Sequence, residues 1–245
     1  MTGEFLGLDL LAWVVTVGIV MAGSVLQGTT GFGMGLVSAP VLVLVDPTMV
    51  PTVVLAMALP LALIMVAREW EHFDFGLARW ALGGRFFGAL VGSWVVVALG
   101  TKELSIVFAL SLLLGVGLSL SGLRIGNSTS TSMATAGFLA GIMGTATSVG
   151  GPLLALTLQH ETGARMRTMM ASFIAFGGTI SLVVLAAVGE LHSRELSLGL
   201  ILMPVTLFGL GVSQWTIGLL NQGHTRYAVL GFASVASVAI LIRAL

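Results

Sequence analysis

An all-α integral membrane protein is the fold class this sequence predicts. Three observations predict it: overall hydrophobicity, the sparse placing of the charges, and two glycine-rich interruptions in corresponding parts of the chain. Apolar residues fill 57% of 245 positions and charged residues 8%, with a mean hydropathy of +1.09. A soluble domain carries about 25% charged residues, because its surface must face water. Ten basic and ten acidic side chains are too few to solvate a domain of this length. The absence of cysteine excludes disulfides, thiolate metal sites and thiol redox chemistry. A formal net charge of zero gives no basis for a nucleic-acid partner. No basic residue precedes the first apolar run, so the N-terminus does not read as a cleaved signal peptide.

A helix that crosses the hydrocarbon core needs about 20 apolar residues. Charged clusters mark where the chain must surface. Between them lie apolar segments at 9–45, 50–67, 78–99, 104–123, 133–158, 168–189, 197–219 and 227–243. The connections, such as Asp46-Pro47, Lys102-Glu103, Arg124 to Ser132 and Asn221 to Arg226, leave no room for a soluble domain.

Two segments depart from a simple span. The first, 9–45, is too long for one crossing and is interrupted over 27–35 (QGTTGFGMG). The fifth, 133–158, is interrupted over 144–152 (GTATSVGGP). Glycine and proline weaken a helix and free backbone groups, and in lipid those groups must find partners. Each segment therefore reads as a helical hairpin broken at membrane depth. The charges agree with this. With both hairpins returning to their starting side, Arg68, Arg79, Arg124, Arg165, Arg167 and Arg226 fall on one face. Lys102, Arg194 and Arg243 fall on the other. The arginine-rich face is then cytoplasmic and the N-terminus outside. A single crossing over 133–158 would spoil that bias.

The halves 1–124 and 133–245 then each hold a broken hairpin and three spans, in inverted topology. At an offset of 121, Glu69 matches Glu190, Phe87-Gly88 matches Phe208-Gly209, Val91 matches Val212 and Trp94 matches Trp215. Inverted repeats with interrupted helices in corresponding places are the pattern of secondary transporters, whose site lies near the bilayer midplane.

A broken helix presents free N–H groups and a positive dipole end, and small residues let an anion approach them. Gly31, Gly33 and Gly35 give that access in the first hairpin, Gly150 and Gly151 in the second. Gln27, Thr29, Thr30, Thr145, Thr147 and Ser148 add donors, while Pro40 and Pro152 shape the breaks. The resulting pocket suits a small oxyanion. The same glycines would also suit close helix packing, and the hydroxyls could bond within their own helices. Arg85 lies inside 78–99, where an arginine is costly and faces a cavity or partner. It reads either as an anion attractor or gate, or as a side chain that snorkels or pairs with a loop acid such as Glu69 or Glu71. Gly84, Gly88 and Gly92 form a packing face, within one chain or between identical chains of a homo-oligomer. Gly137 with Gly141 reads likewise.

Every Asp and Glu lies near a span boundary, which argues against a cation pump or carboxylate proton relay. No nucleophile–base pair or metal-ligand cluster is visible, so no enzyme activity and no metal are expected. The sequence 31–35 (GFGMG) lacks the spacing and context of a dinucleotide-binding loop.

At its two interruptions the chain resembles the sulfite exporter TauE/SafE (TSUP) family. The residues that carry the resemblance are Gln27-Gly-(x2)-Gly31-Phe-Gly33-Met-Gly35-(x4)-Pro40 and Gly141-(x2)-Gly144-(x5)-Gly150-Gly151-Pro152. The resemblance implies a multi-pass carrier of the bacterial inner membrane, without prosthetic group, moving sulfite, sulfonates or related organosulfur anions. In such carriers movement is often outward, and proton linkage is one form of coupling. It also implies a site at the two glycine-rich tips. Alternating access is the expected mechanism. A passive anion channel filtering at the same tips and a non-transporting membrane scaffold are the alternatives.

Overall fold

The structure, a computed structural model, describes residues 5–121, 129–161, 163–216 and 222–245, with the backbone alone for 222–226. Arg124, Asn221 and the side chains of His224 and Arg226 thus lie outside the described residues. Ten α-helices are described: α1 (Leu10–Thr30), α2 (Met34–Val45), α3 (Thr52–Arg68), α4 (Phe75–Ala98), α5 (Thr101–Leu120), α6 (Ser130–Thr147), α7 (Gly151–Thr157), α8 (Gly163–Ala187), α9 (Ser193–Thr216) and α10 (Gln222–Ala244), with short 3-10 turns at Pro47–Met49 and Trp70–His72. Six of them (α1, α4, α5, α8, α9 and Tyr227–Ala244 of α10), together with Pro47–Arg68, are long and apolar enough to cross a membrane. The chain is an all-α, multi-pass membrane protein.

The charges that bound the apolar segments serve the helix ends. Asp9 caps α1, accepting from the Ala12 N–H at 2.7 Å. Asp74 caps α4, accepting from the Leu77 N–H at 3.1 Å. Thr129 and Ser132 close a reciprocal capping box at α6. Each satisfies N–H groups that the first turn leaves without partners. Several helices start before their apolar stretch does. α8 begins at Gly163, five residues ahead of the expected span, because Arg165 and Arg167 are held in its first turns by acids on neighbouring elements.

Both interrupted segments fold back on themselves. The Ser38 hydroxyl of α2 donates to the Ile19 carbonyl of α1 at 3.1 Å, so the two helices run antiparallel. Likewise Gly150 lies against the Ala140 carbonyl, with room for no side chain. The breaks are narrower than the sequence suggests. Thr29 and Thr30 stay helical, their hydroxyls bonded back to the Val25 and Leu26 carbonyls. The chain turns only at Gly31 (φ 90°) and Gly33 (φ 129°), where a side chain would be strained. In the second hairpin Ser148 alone takes the left-handed conformation, at φ 59°. The arms are also unequal: α1 has 21 residues against 12 in α2, and α6 has 18 against seven in α7. At 1.5 Å per residue α2 rises about 18 Å and α7 about 10 Å. Two short arms entering from opposite ends, about 28 Å together, nearly match a hydrocarbon core of about 30 Å.

The glycine stripe of α4 packs inside the monomer. Gly84 lies on Ala134, Gly88 on Phe138 and Gly141, and Gly137 on Ala81, so that a Cβ at any of them would strike backbone of the facing helix. Elsewhere α1 packs along α9, α3 along α8 and α9, α8 along α4, and α10 along α5 and α2.

The two ends are fastened by separate ionic clusters, sorted as the arginine bias predicts. At one end Arg194 donates to Asp46 at 2.7 Å, Thr48 at 3.0 Å and the Leu6 carbonyl at 3.0 Å. At the other end Arg165 bridges Asp74 and Glu161, and Arg167 pairs with Glu69 at 2.5 Å. Partial burial works to raise the Asp46 pKa, yet hydrogen bonds from Thr48 and Arg194 outweigh it and hold the carboxyl below its ordinary value. The Leu77 N–H, with Arg165 beside it, lowers Asp74 in the same way. A depressed carboxyl stabilises the fold above its unfolded pKa of about 3.9 and loses that contribution as pH falls through the lower folded value. The thermal midpoint in detergent should therefore drop on acidification below about pH 4. Asp46→Asn with Asp74→Asn should start lower at neutral pH and decline less steeply; a decline as steep as in the parent chain would assign the acid sensitivity elsewhere.

Candidate functional site

The two hairpin tips meet inside the bundle. Gly35, in the first turn of α2, touches the Ser148 carbonyl so closely that a Cβ would overlap it, and Phe32 lies on Gly151. Between the tips, α3, α4 and α8 enclose a cavity of about 60 Å³. The first hairpin lines it with Gln27, Phe32, Gly33, Gly35 and Leu36, the second with Gly144, Ser148, Val149, Gly150, Gly151 and Pro152. Val54, Leu55 and Ala58 of α3, Arg85 of α4, and Phe173, Ile174 and Gly178 of α8 complete the wall.

Arg85 supplies the one formal charge among these residues. It is 3% exposed, so it does not snorkel to an interface. Nor does it pair with an acid: Glu69 is taken by Arg167, and Glu71 is exposed on a turn. Its guanidinium is held by neutral groups instead. Nη1 donates to the Gly141 and Ala140 carbonyls and to Thr145 Oγ1 at 3.2 Å. Nη2 donates to Ser181 Oγ at 2.9 Å, and the two hydroxyls are 2.7 Å apart. The Phe173 ring lies 5.3 Å from the guanidinium carbon. Two glycines make the space: a Cβ on Gly144 would come within 2.9 Å of Nη1, and one on Gly177 would overlap Nε.

Two donors in this region are buried without a partner, Arg85 Nε and Gln27 Nε2. Gln27 is 1% exposed. A buried donor left unpaired costs about 1–3 kcal/mol, which an acceptor placed beside it would recover. The start of α2 adds to them. Its cap residue Gly33 offers no side chain, and the first helical bond runs from the Val37 N–H to the Gly33 carbonyl. The N–H groups of Met34, Gly35 and Leu36 therefore lack intrahelical acceptors. The start of α7 offers less. That helix has seven residues, and Pro152 in its first turn has no N–H.

Most of the other expected residues sit around the cavity rather than on it, and Ser148 and Pro152, though on its wall, are engaged elsewhere. The Thr29 hydroxyl faces α9, 3.3 Å from Thr216 Oγ1. Thr30 bonds to the Leu26 and Phe32 carbonyls and thereby fixes the turn. Gly31 packs on the backbone of Arg167. Thr145 holds Arg85 from behind, and the Thr147 hydroxyl bonds to the Met143 carbonyl. The Ser148 hydroxyl donates to the Pro51 carbonyl at 3.2 Å, tying the second tip to the start of α3. Pro40 is buried within α2, and Pro152 packs on Gly115 of α5. Sequence reasoning missed Phe32, Leu36, Phe173, Gly177, Gly178 and Ser181. One signal was present: Gly177 and Ser181 are four apart in an apolar helix, so they share a face.

No curated protein and no solved structure matches the chain. A model of the sulfite exporter TauE/SafE family matches residues 15–240, a span that takes in both hairpins, Arg85 and the three helices that follow each hairpin. With a match over nearly its whole length, the chain belongs to the sulfite exporter TauE/SafE family, membrane transporters of sulfur-containing anions and not enzymes.

Proposed function

We propose that this protein is a secondary transporter that binds a small sulfur oxyanion between its hairpin tips and moves it by alternating access. The observation that carries the reading is the buried cavity at the junction of the two breaks. It holds a guanidinium with no acidic partner among the described residues, an unpaired amide donor and the open start of α2. Arg85 attracts the anion, the Gln27 amide and the α2 N–H groups donate to its oxygens, and the glycines let it approach the backbone. The cytoplasm lies on the side of Arg68, Arg165 and Arg167.

We further propose that residues 1–124 and 133–245 are inverted repeats, with α1 to α5 corresponding to α6 to α10. Several packing partners exchange under that correspondence: α4 with α6 answers α9 with α1, α3 with α9 answers α8 with α4, and α2 with α10 answers α7 with α5. Phe87 and Trp94 of α4 are exposed, as are their matches Phe208 and Trp215 of α9. Rocking of one half on the other would open the cavity to each side in turn.

Uptake of labelled sulfite into proteoliposomes tests the reading. The expected result is saturable flux that a counter-gradient of unlabelled sulfite accelerates. Ohmic, non-saturating conductance would make the protein a channel instead. Normal flux in a Gly35→Val variant that still assembles would remove the tips from the pathway.

A further inference from the structure

We infer that the cavity selects oxyanions bearing one negative charge over those bearing two. The inference rests on the transport reading above and deepens it by naming the charge state of the substrate.

The charge count comes first. Arg85 is the one ionisable residue on the cavity wall among the described residues. The helices packed against α4 add no second cation to it. α6 contains no charged residue. The Arg165 and Arg167 side chains of α8 are paired with Asp74, Glu161 and Glu69 at one end of the bundle. Arg68 is the last residue of α3, more than two turns beyond Ala58.

The available donors come second. Most of the Arg85 fork is already engaged, by two carbonyls and two hydroxyls. Carbonyl dipoles aimed at a guanidinium lower the positive field it projects. Nε, though unpaired, lies against Gly177, so what remains is the unpaired Gln27 amide and the start of α2. That set matches one delocalised negative charge.

The rest of the wall comes third. Phe32, Leu36, Val54, Leu55, Phe173 and Ile174 offer neither charge nor donor side chains. A second negative charge would face these side chains after losing its hydration, and an uncompensated ion in such surroundings is strongly disfavoured. Sulfonates and the singly protonated form of sulfite satisfy the count; sulfate and fully ionised sulfite do not.

Methanesulfonate and sulfate separate charge from shape, since both are tetrahedral and differ by a methyl group in place of one oxygen. In proteoliposomes, labelled methanesulfonate should enter at least about tenfold faster than sulfate at equal concentration. Sulfate entering as fast or faster overturns the proposal while leaving the transporter reading intact. Gln27→Lys places a second cation at the cavity and should move the sulfate-to-methanesulfonate ratio up by about tenfold; an unchanged ratio in an assembled variant also overturns the charge argument. Should neither ion nor sulfite move through the unaltered protein, the transport reading fails, and this inference with it.

Discussion

Arg85→Met should leave the fold at least as stable as the parent chain while cutting sulfur-oxyanion flux about 100-fold. The stability half follows from what surrounds the guanidinium. The native side chain is a buried ion with no acid beside it among the described residues and with Nε unpaired, an arrangement kept at a cost. Methionine fills most of the same stem volume without desolvating a charge, and its flexible thioether adapts to irregular gaps. The groups released are not stranded. Thr145 and Ser181 remain bonded to each other at 2.7 Å, and the Ala140 and Gly141 carbonyls lie within α6, where they accept from the following turn. The flux half follows from the loss of the cavity's one charge. Truncating one member of a buried charge pair costs about 2–5 kcal/mol, which at 1.4 kcal/mol per tenfold covers roughly 30-fold to several thousand-fold. Arg85→Lys keeps the charge but loses the planar fork that reaches both Thr145 and Ser181, so its flux should fall between the two. Thermal melting with proteoliposome flux checks both halves. A large drop in melting temperature with flux preserved would make Arg85 a structural residue and empty the site of its main argument.

The fold was legible in the sequence to the extent that charge and glycine placement dictate it. Charges show where the chain must leave the hydrocarbon, which is why all six post-hairpin crossings fall where expected. They do not show where helices end, because a first turn outside the bilayer can be as helical as the rest. Hence α8 starts at Gly163 and α9 at Ser193, ahead of the apolar stretches at 168 and 197. Glycine and proline located both breaks but overstated their width. Thr29, Thr30, Thr145 and Thr147 keep helical backbone by bonding within their helix or to neighbours. Which way a threonine on a membrane helix faces depends on tertiary packing, and a single sequence does not carry that information. Arg85 was identifiable because an arginine inside a span is expensive. The residues that house it were not: Gly144, Gly177 and Ser181 look like ordinary packing positions until α4, α6 and α8 are brought together.

Gly177→Ala is the sharpest test of that housing. The three atoms nearest the new Cβ all belong to Arg85; it would overlap Nε and lie 2.8 Å from Cζ. Forcing extra volume into a packed core costs about 1–3 kcal/mol, against a gain of about 0.5–1 kcal/mol for replacing glycine in a helix. The first effect should win, so the variant should melt lower. Flux should also fall about tenfold, because a guanidinium displaced by even 1 Å no longer faces the site as built. Gly211→Ala on α9 isolates the helix contribution alone, since nothing lies within 4 Å of its Cβ position; it should keep parental flux and melt no lower. The decisive comparison is Gly177→Ala in an Arg85→Ala background. With the guanidinium gone, the three closest contacts of the added methyl are removed and it should be neutral or stabilising, reversing the sign of its effect. Equal destabilisation in both backgrounds would mean that the methyl strains α8 itself, and Gly177 would then lose its role as the slot for Arg85.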